Sequence, residues 1–242
     1  MSDAVFTVDA VHLGKRIADT SLFLYLTDPG TPIEIAYRLW LLRSAHRTIV
    51  VDTGPPVVEG RERRLSETRD LSEALAVHGV EPRSIDTVLL THLHWDHAAN
   101  ADQFPNARFY AQRAEIDFLR HGRHQHPALN RFFSTHALLE ELADAGRLLP
   151  LDGDVEIEPG VRAIRVGGHT PGSQMFCVDT AEGLALLAGD AVPLNRNYVE
   201  RIPSGILVDV FEAVAALDKA RALAPVKLYT GHDIAPCLDL GP

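Results

Sequence analysis

Ten consecutive residues, Thr91 to Asn100, read THLHWDHAAN and hold three histidines and one aspartate, His92, His94, Asp96 and His97, directly after the apolar run Val88, Leu89, Leu90. Neutral imidazole and carboxylate are the donors that borderline divalent metals such as zinc accept. In an extended segment, side chains two apart share a face, so His92 and His94 are expected to grip one ion. The turn that follows should carry Asp96 and His97 away from that pair, where they could hold a second ion beside the first. Two cations sharing a water lower its pKa from about 15.7 toward about 7, so a hydroxide nucleophile exists at neutral pH without a separate strong base.

The elements that must position this stretch can be read from periodicity. Residues 85–90 form a short apolar strand that delivers the cluster at its carboxyl end, where sites on α/β architectures lie. Before it come strand-like pieces at 4–8, 22–26, 35–42 and 48–51. In the third, Ile35, Tyr37, Leu39 and Leu41 alternate as one packed face would. The fourth ends at Asp52-Thr53-Gly54, and Asp52 either accepts hydrogen bonds from the metal stretch or closes its own turn. A helix is predicted over 70–78 with Asp70 and Glu73 as a capping box and Gly79 as its stop. A strand over 108–110, a helix over 113–120 and a helix over 129–145 follow. His121, His124 and His126, irregularly spaced, read as an exposed connection or as part of a cap over the site.

Strands resume at 155–157, 162–166, 175–178 and 184–187. A last helix over 210–223, capped by Asp209 and Glu212 with Val214 and Leu217 inward, leads into a strand over 226–229. Two sheets packed face to face with helices outside fit this order, within one α/β domain spanning 1–242.

Composition narrows the function. Lys and Arg number 23 against 33 Asp and Glu, a formal charge of −10 with no basic run beyond Arg61 to Arg64. Such a chain repels phosphate backbones, which disfavours nucleic acid as a partner. No apolar run approaches the roughly 20 residues that span a bilayer, so no membrane partner is expected. The amino terminus lacks the pattern of a secretory signal, which points to the cytoplasm. Cys177 and Cys237 read as small apolar side chains in a reducing compartment rather than as a disulfide framework. A homodimer stays open.

The His-x-His-x-Asp-His stretch, the later Gly167-Gly168-His169-Thr170-Pro171-Gly172, then Gly189-Asp190 and Gly231-His232, occur in the order of the metallo-β-lactamase superfamily, which this chain resembles from Asp52 to His232. The resemblance implies a four-layer αβ/βα sandwich. It also implies that His92, His94 and His169 hold a first metal, that Asp96, His97 and His232 hold a second, and that Asp190 bridges both. Zinc is the favoured ion, with manganese, iron and cobalt able to take the same ligands. The three later joints lie at strand ends beside Gly or Pro, which lets the backbone turn sharply toward a common point. Six donors and a bridge satisfy two ions and still leave positions for water and substrate, which distinguishes a catalytic from a structural metal site.

Within that superfamily, THLHWDHAANADQFPNA, GGHTPGSQ, AGDAVPL, SGILVDVFEA and the closing GHD most resemble the N-acyl-homoserine lactonase group. The implied reaction is opening of a cyclic ester, a small-molecule lactone, with Asp96 passing a proton to the departing alkoxide. In that group a tyrosine stands three residues after the bridging aspartate; this chain has Pro193, and Tyr198 is the nearest substitute. A glyoxalase II type thioester hydrolase shares the ligand set and is the closest rival. A metal-containing binding protein without turnover is the rival from another class. Asp52 and Asp233 are candidates to hold the ligand histidines from behind, or equally to serve as turn residues.

Overall fold

The computed structural model describes residues 5–241, so Ala4 of the first expected strand lies outside the described residues. The chain divides into two compact units: residues 8–15 with 37–152, and residues 5–7 with 16–36 and 153–241.

One six-stranded sheet runs β1 (Thr7–Asp19), β2 (Pro32–Arg43), β3 (Thr48–Val51), β4 (Thr87–Leu89), β5 (Arg108–Gln112) and β6 (Leu148–Leu151), hydrogen-bonded in that order. β2 and β3 pair antiparallel, whereas β3, β4, β5 and β6 pair parallel. Parallel strands need long crossovers, and these carry α1 (Val57–Glu62), α2 (Leu71–Val77), α3 (Trp95–Ala98), α4 (Arg113–Arg120) and α5 (His136–Asp144). All three residues of β4 are buried, which explains why this strand reads as an unbroken apolar run. Leu71, Leu75, Val88, Leu90, Phe104, Phe109, Ile116 and Leu139 share one core cluster here. Asp70 caps α2 as expected, its carboxylate accepting from the Ser72 and Glu73 amides.

The other unit carries a second sheet of β7 (Val155–Glu158), β8 (Val161–Arg165), β9 (Gln174–Thr180), β10 (Gly183–Gly189), β11 (Lys227–Thr230) and β12 (Leu238–Asp239), in the order β12-β11-β10-β9-β8-β7. β7 to β10 form an antiparallel meander, and β11 joins β10 in parallel. Two helices, α6 (Asn195–Glu200) and α7 (Val210–Ala222), complete it. α7 supplies Ala216, Leu217 and Ala220 to a core with Met175, Cys177, Leu186 and Leu228. Among the described residues no helix is long and apolar enough to cross a membrane. Both cysteines are free.

Four local expectations need correction. Residues 22–26 are a turn: the Thr20 carbonyl takes the Phe23 and Leu24 amides and the Pro203 carbonyl takes the Tyr25 amide, so no strand ladder forms. β2 is buried on both faces from Ile35 to Leu42, so its apparent alternation marks no solvent side. The helix expected over 129–145 begins only at His136, since the chain before it is held in short turns through His126 and Asn130. On α7 the inward positions are Ala213, Ala216, Leu217 and Ala220, whereas Val214 lies one step off that stripe and is 44% exposed.

Candidate metal centre

Parallel pairing of β3 with β4 sets Val51 beside Leu89, so the residues that leave the carboxyl ends of these two strands are neighbours. Asp52 is the first residue past β3, with its amide on the Leu89 carbonyl and a left-handed φ of 61°. A non-glycine residue in that region stores strain, which surrounding contacts must hold. Here they are numerous. Asp52 Oδ1 accepts from the Thr91 amide at 2.7 Å, both carboxylate oxygens accept from the Thr91 hydroxyl, and Oδ2 accepts from His97 Nδ1 at 2.8 Å. Thr91 Oγ1 in turn lies 3.1 Å from His92 Nδ1. One buried carboxylate therefore orients two histidines, directly at His97 and through Thr91 at His92. Asp52 thus holds the metal stretch, the first of its two readings.

The stretch leaves β4 extended as far as His94, and α3 then turns the chain. That turn brings His97 back rather than away: its ring centroid is 4.1 Å from that of His92, and His94 is 4.5 Å from His92 on another side. Asp96 Oδ2 lies 3.8 Å from His97 Nε2, and the aspartate is half-buried. The loop after Asp52 braces α3, with the Thr53 amide on the His97 carbonyl and the Asn100 side chain on the Thr53 and Gly54 carbonyls. Glu115 of α4, fully buried, accepts from the Leu93 amide at 3.1 Å. Nothing local in the sequence marks Asn100 or Glu115 for these roles, because each meets backbone of a distant element, nor Thr91, whose hydroxyl bridges the distant Asp52 carboxylate to His92.

Of the histidine-rich segment, His121 and His126 are exposed and His124 is buried, and the partial cover on His94 comes from the residues just after it. Phe132 stacks on the His94 ring at 5.0 Å and Phe133 meets it edge-on at 4.8 Å. α1 fastens this cover. Arg63, at its end, donates to the Arg131 carbonyl and to Glu59, and its guanidinium lies 4.3 Å over the Trp95 ring, while Glu59 accepts from the Ser134 hydroxyl at 2.6 Å.

The second unit gathers His169, Asp190 and His232. His169 Nε2 is 3.4 Å from Asp190 Oδ2, and His232 Nε2 is 3.1 Å from Asp190 Oδ1, with all three side chains buried. The Ile206 carbonyl takes His169 Nδ1 at 2.6 Å, and the Ala36 carbonyl takes His232 Nδ1 at 2.9 Å. Glu212, expected to complete a helix cap, instead accepts from the Gly168 amide at 3.1 Å and so steadies the loop that presents His169. Pro193 contributes its carbonyl, which the His232 amide meets at 2.7 Å. Tyr198 is a packing residue: its ring lies under the Arg221 guanidinium at 5.1 Å and against the core of this unit. Asp233 takes the turn role, accepting from the Asn195 and Ala235 amides.

These hydrogen bonds test whether the donors suit a metal. An acceptor on Nδ1 fixes the ring proton there and leaves the Nε2 lone pair as the ligand atom. His97, His169 and His232 each have such an acceptor, a carboxylate or a backbone carbonyl. These histidines and aspartates are thus of a kind that can hold a metal ion. If Asp52 is the orienting hub, Asp52→Ala should cost about 10–100-fold in metal affinity, as loss of an outer partner does. Competition against a chromophoric chelator measures this, and an unchanged affinity would remove Asp52 from the site.

Comparison with known proteins agrees with this chemistry. The family model of the metallo-beta-lactamase superfamily matches residues 38–232, and the chain belongs to that superfamily, with its fold of two mixed sheets flanked by helices. Among particular relatives, an N-acyl homoserine lactonase of Bacillus sp is 27% identical, covering 93% of this chain and 92% of its own length. A probable metallo-hydrolase of Methanocaldococcus jannaschii is 30% identical over 69% of this chain and 68% of its own. A crystal structure of a quorum-quenching N-acyl homoserine lactone lactonase superposes with a TM-score of 0.82 at 25% identity, covering 97% of this chain and 95% of that one.

Proposed function

We propose that this chain is a metal-dependent hydrolase that opens N-acyl homoserine lactones, with its two units working as a single domain over 1–242. The observation that carries the reading is the pair of buried His and Asp sets, each with Nδ1 atoms engaged from behind, in a chain alignable with a Bacillus lactonase over 93% of its length. His92, His94 and His169 would hold one divalent cation, Asp96, His97 and His232 a second, and Asp190 would lie between them, with zinc as the ion best matched to nitrogen-rich donors.

When bound, such a pair supplies Lewis-acid polarisation of the lactone carbonyl and a water whose pKa falls from about 15.7 to about 7. The chain's own residues do the rest. Asp190 presents one oxygen toward His169 and the other toward His232, fixing both at the same carboxylate. Asp52 and Thr91 keep His92 and His97 from rotating. Asp96, half-buried at the turn of α3, takes the proton of the attacking water and delivers it to the ring oxygen as the acyl carbon–oxygen bond breaks. Phe132 and Phe133 give the His94 side an apolar wall that suits an acyl chain better than a peptide-like glutathione moiety.

A panel of acyl homoserine lactones, simple lactones and glutathione thioesters, run with elemental analysis of the same sample, tests the proposal. Turnover of acyl homoserine lactones in protein holding two ions per chain is expected. Faster turnover of the thioesters would replace this reading with a glyoxalase II type activity, and no turnover in fully loaded protein would leave a binding protein.

A further inference from the structure

Asn197 on α6 is fully buried although its side chain is a polar amide, and such a group must be given partners inside the protein. Its Nδ2 donates to the Phe23 carbonyl at 2.7 Å and to the Ile202 carbonyl at 2.8 Å, while its Oδ1 accepts from the Leu194 amide at 2.8 Å. Two carbonyls on one side and an N–H on the other allow only this orientation of the amide. Each of the three stretches so tied leads to a proposed ligand. The Leu194 N–H shares a peptide plane with the Pro193 carbonyl, and that carbonyl accepts from the His232 amide at 2.7 Å. Phe23 sets its ring edge-on to the His232 ring, with centroids 5.5 Å apart. The stretch that starts at Ile202 reaches Ile206, whose carbonyl holds His169 Nδ1 at 2.6 Å and whose amide rests on the Leu22 carbonyl at 3.1 Å. Gly205 lets the two backbones lie this close, since a Cβ there would run into the Ser21 carbonyl.

We infer that Asn197 is a positioning residue for the metal centre, fixing the ring directions of His169 and His232 through the backbone at 22–23, 193–194 and 202–206. The inference rests on the reading of these two histidines as ligands, and on no choice of substrate. Both rings face the same carboxylate, Asp190, at 3.4 and 3.1 Å. Sites of this kind tolerate only about 0.5 Å of misplacement, so slack in the Ile206 carbonyl or behind His232 reaches the donor atoms directly. An Asn197 that served α6 alone would stabilise the helix and leave the rings as they are.

The test is Asn197→Asp, which keeps the size and the oxygen facing Leu194 but turns a second oxygen on the Phe23 and Ile202 carbonyls. Proton NMR of the full, metal-free chain labelled with nitrogen-15 histidine reads the Nδ1–H signals of His169, His232 and His97. Those of His169 and His232 are expected to shift or to vanish through faster exchange with water. That of His97, which Asp52 holds in the other unit, is expected to stay. Zn²⁺ affinity, measured against a chromophoric chelator, should fall about tenfold, the lower end of the loss that an outer partner causes. In a folded variant, three unchanged signals, or three altered alike, overturn the inference. Should Asn197→Asp fail to fold, Asn197→Ser, which removes the amide without adding a charge, decides by the same signals. A wild-type chain that takes up no metal would sink the ligand reading instead, because the NMR comparison needs neither metal nor lactone.

Discussion

Asp190→Asn is expected to lose bound metal and hydrolysis together while remaining folded. The carboxylate lies between the Nε2 atoms of His169 and His232 at 3.4 and 3.1 Å, so each oxygen serves a different histidine. Asparagine keeps the size but replaces one oxygen with an NH₂ group, whose hydrogens face the position a cation would take. The loss should therefore exceed the about 10–100-fold that removal of an outer partner costs. Gly231 shows how closely this carboxylate is fitted: a Cβ built there would come within 2.3 Å of Asp190 Oδ1. Metal content and turnover measured on one preparation decide the matter, and turnover that persists in the metal-depleted variant would falsify the mechanism.

Gly168→Ala is expected to have the largest effect on stability, although it removes no ligand. Gly168 has φ +83°, and an added Cβ would stand 2.4 Å from the Ala213 amide nitrogen and 2.6 Å from its Cα. Those are backbone atoms of α7, which cannot swing aside. The left-handed conformation costs a residue with a Cβ about 1–2 kcal/mol, and overpacking adds about 1–3 kcal/mol. At roughly 2–4 °C per kcal/mol for a chain of this size, Tm should fall by roughly 10 °C. The Gly168 carbonyl takes the Val208 and Asp209 amides, so His169 should shift with it and metal affinity fall too. Calorimetry beside a metal count checks this; an unaltered Tm would mean that the Gly168 loop has room to relax.

The candidate donors were legible in the sequence because each motif is local: the HLHWDH run, and a histidine or aspartate beside glycine at 168–169, 189–190 and 231–232, are visible within a few residues. So were α4, whose ends fall at Arg113 and Arg120 as expected, and the Asp70 cap. What escaped was whatever depends on a distant backbone. Glu212 satisfies the spacing of a capping box, yet its carboxylate reaches the Gly168 amide because the 167–168 turn packs on the start of α7. The roles of Thr91 and Glu115 follow from parallel pairing and from α4 docking, which no short window records. Residues 22–26 have strand-like composition, but the Thr20 carbonyl claims the Phe23 and Leu24 amides and folds the chain into a turn. The return of His97 toward His92 needed the length of α3, a single turn, which apolar periodicity cannot resolve.

The brace from α1 also gives the molecule an optical reporter of its own. Trp95 follows His94 directly and lies beneath the Arg63 guanidinium at 4.3 Å, while the same Arg63 holds the Arg131 carbonyl. Any motion that frees residues 131–134 must disturb a charge resting on an indole. Only one other tryptophan, Trp40, is present to add background. Emission from Trp95 can therefore follow opening of the aromatic wall in real time, with no dye attached and no substrate required.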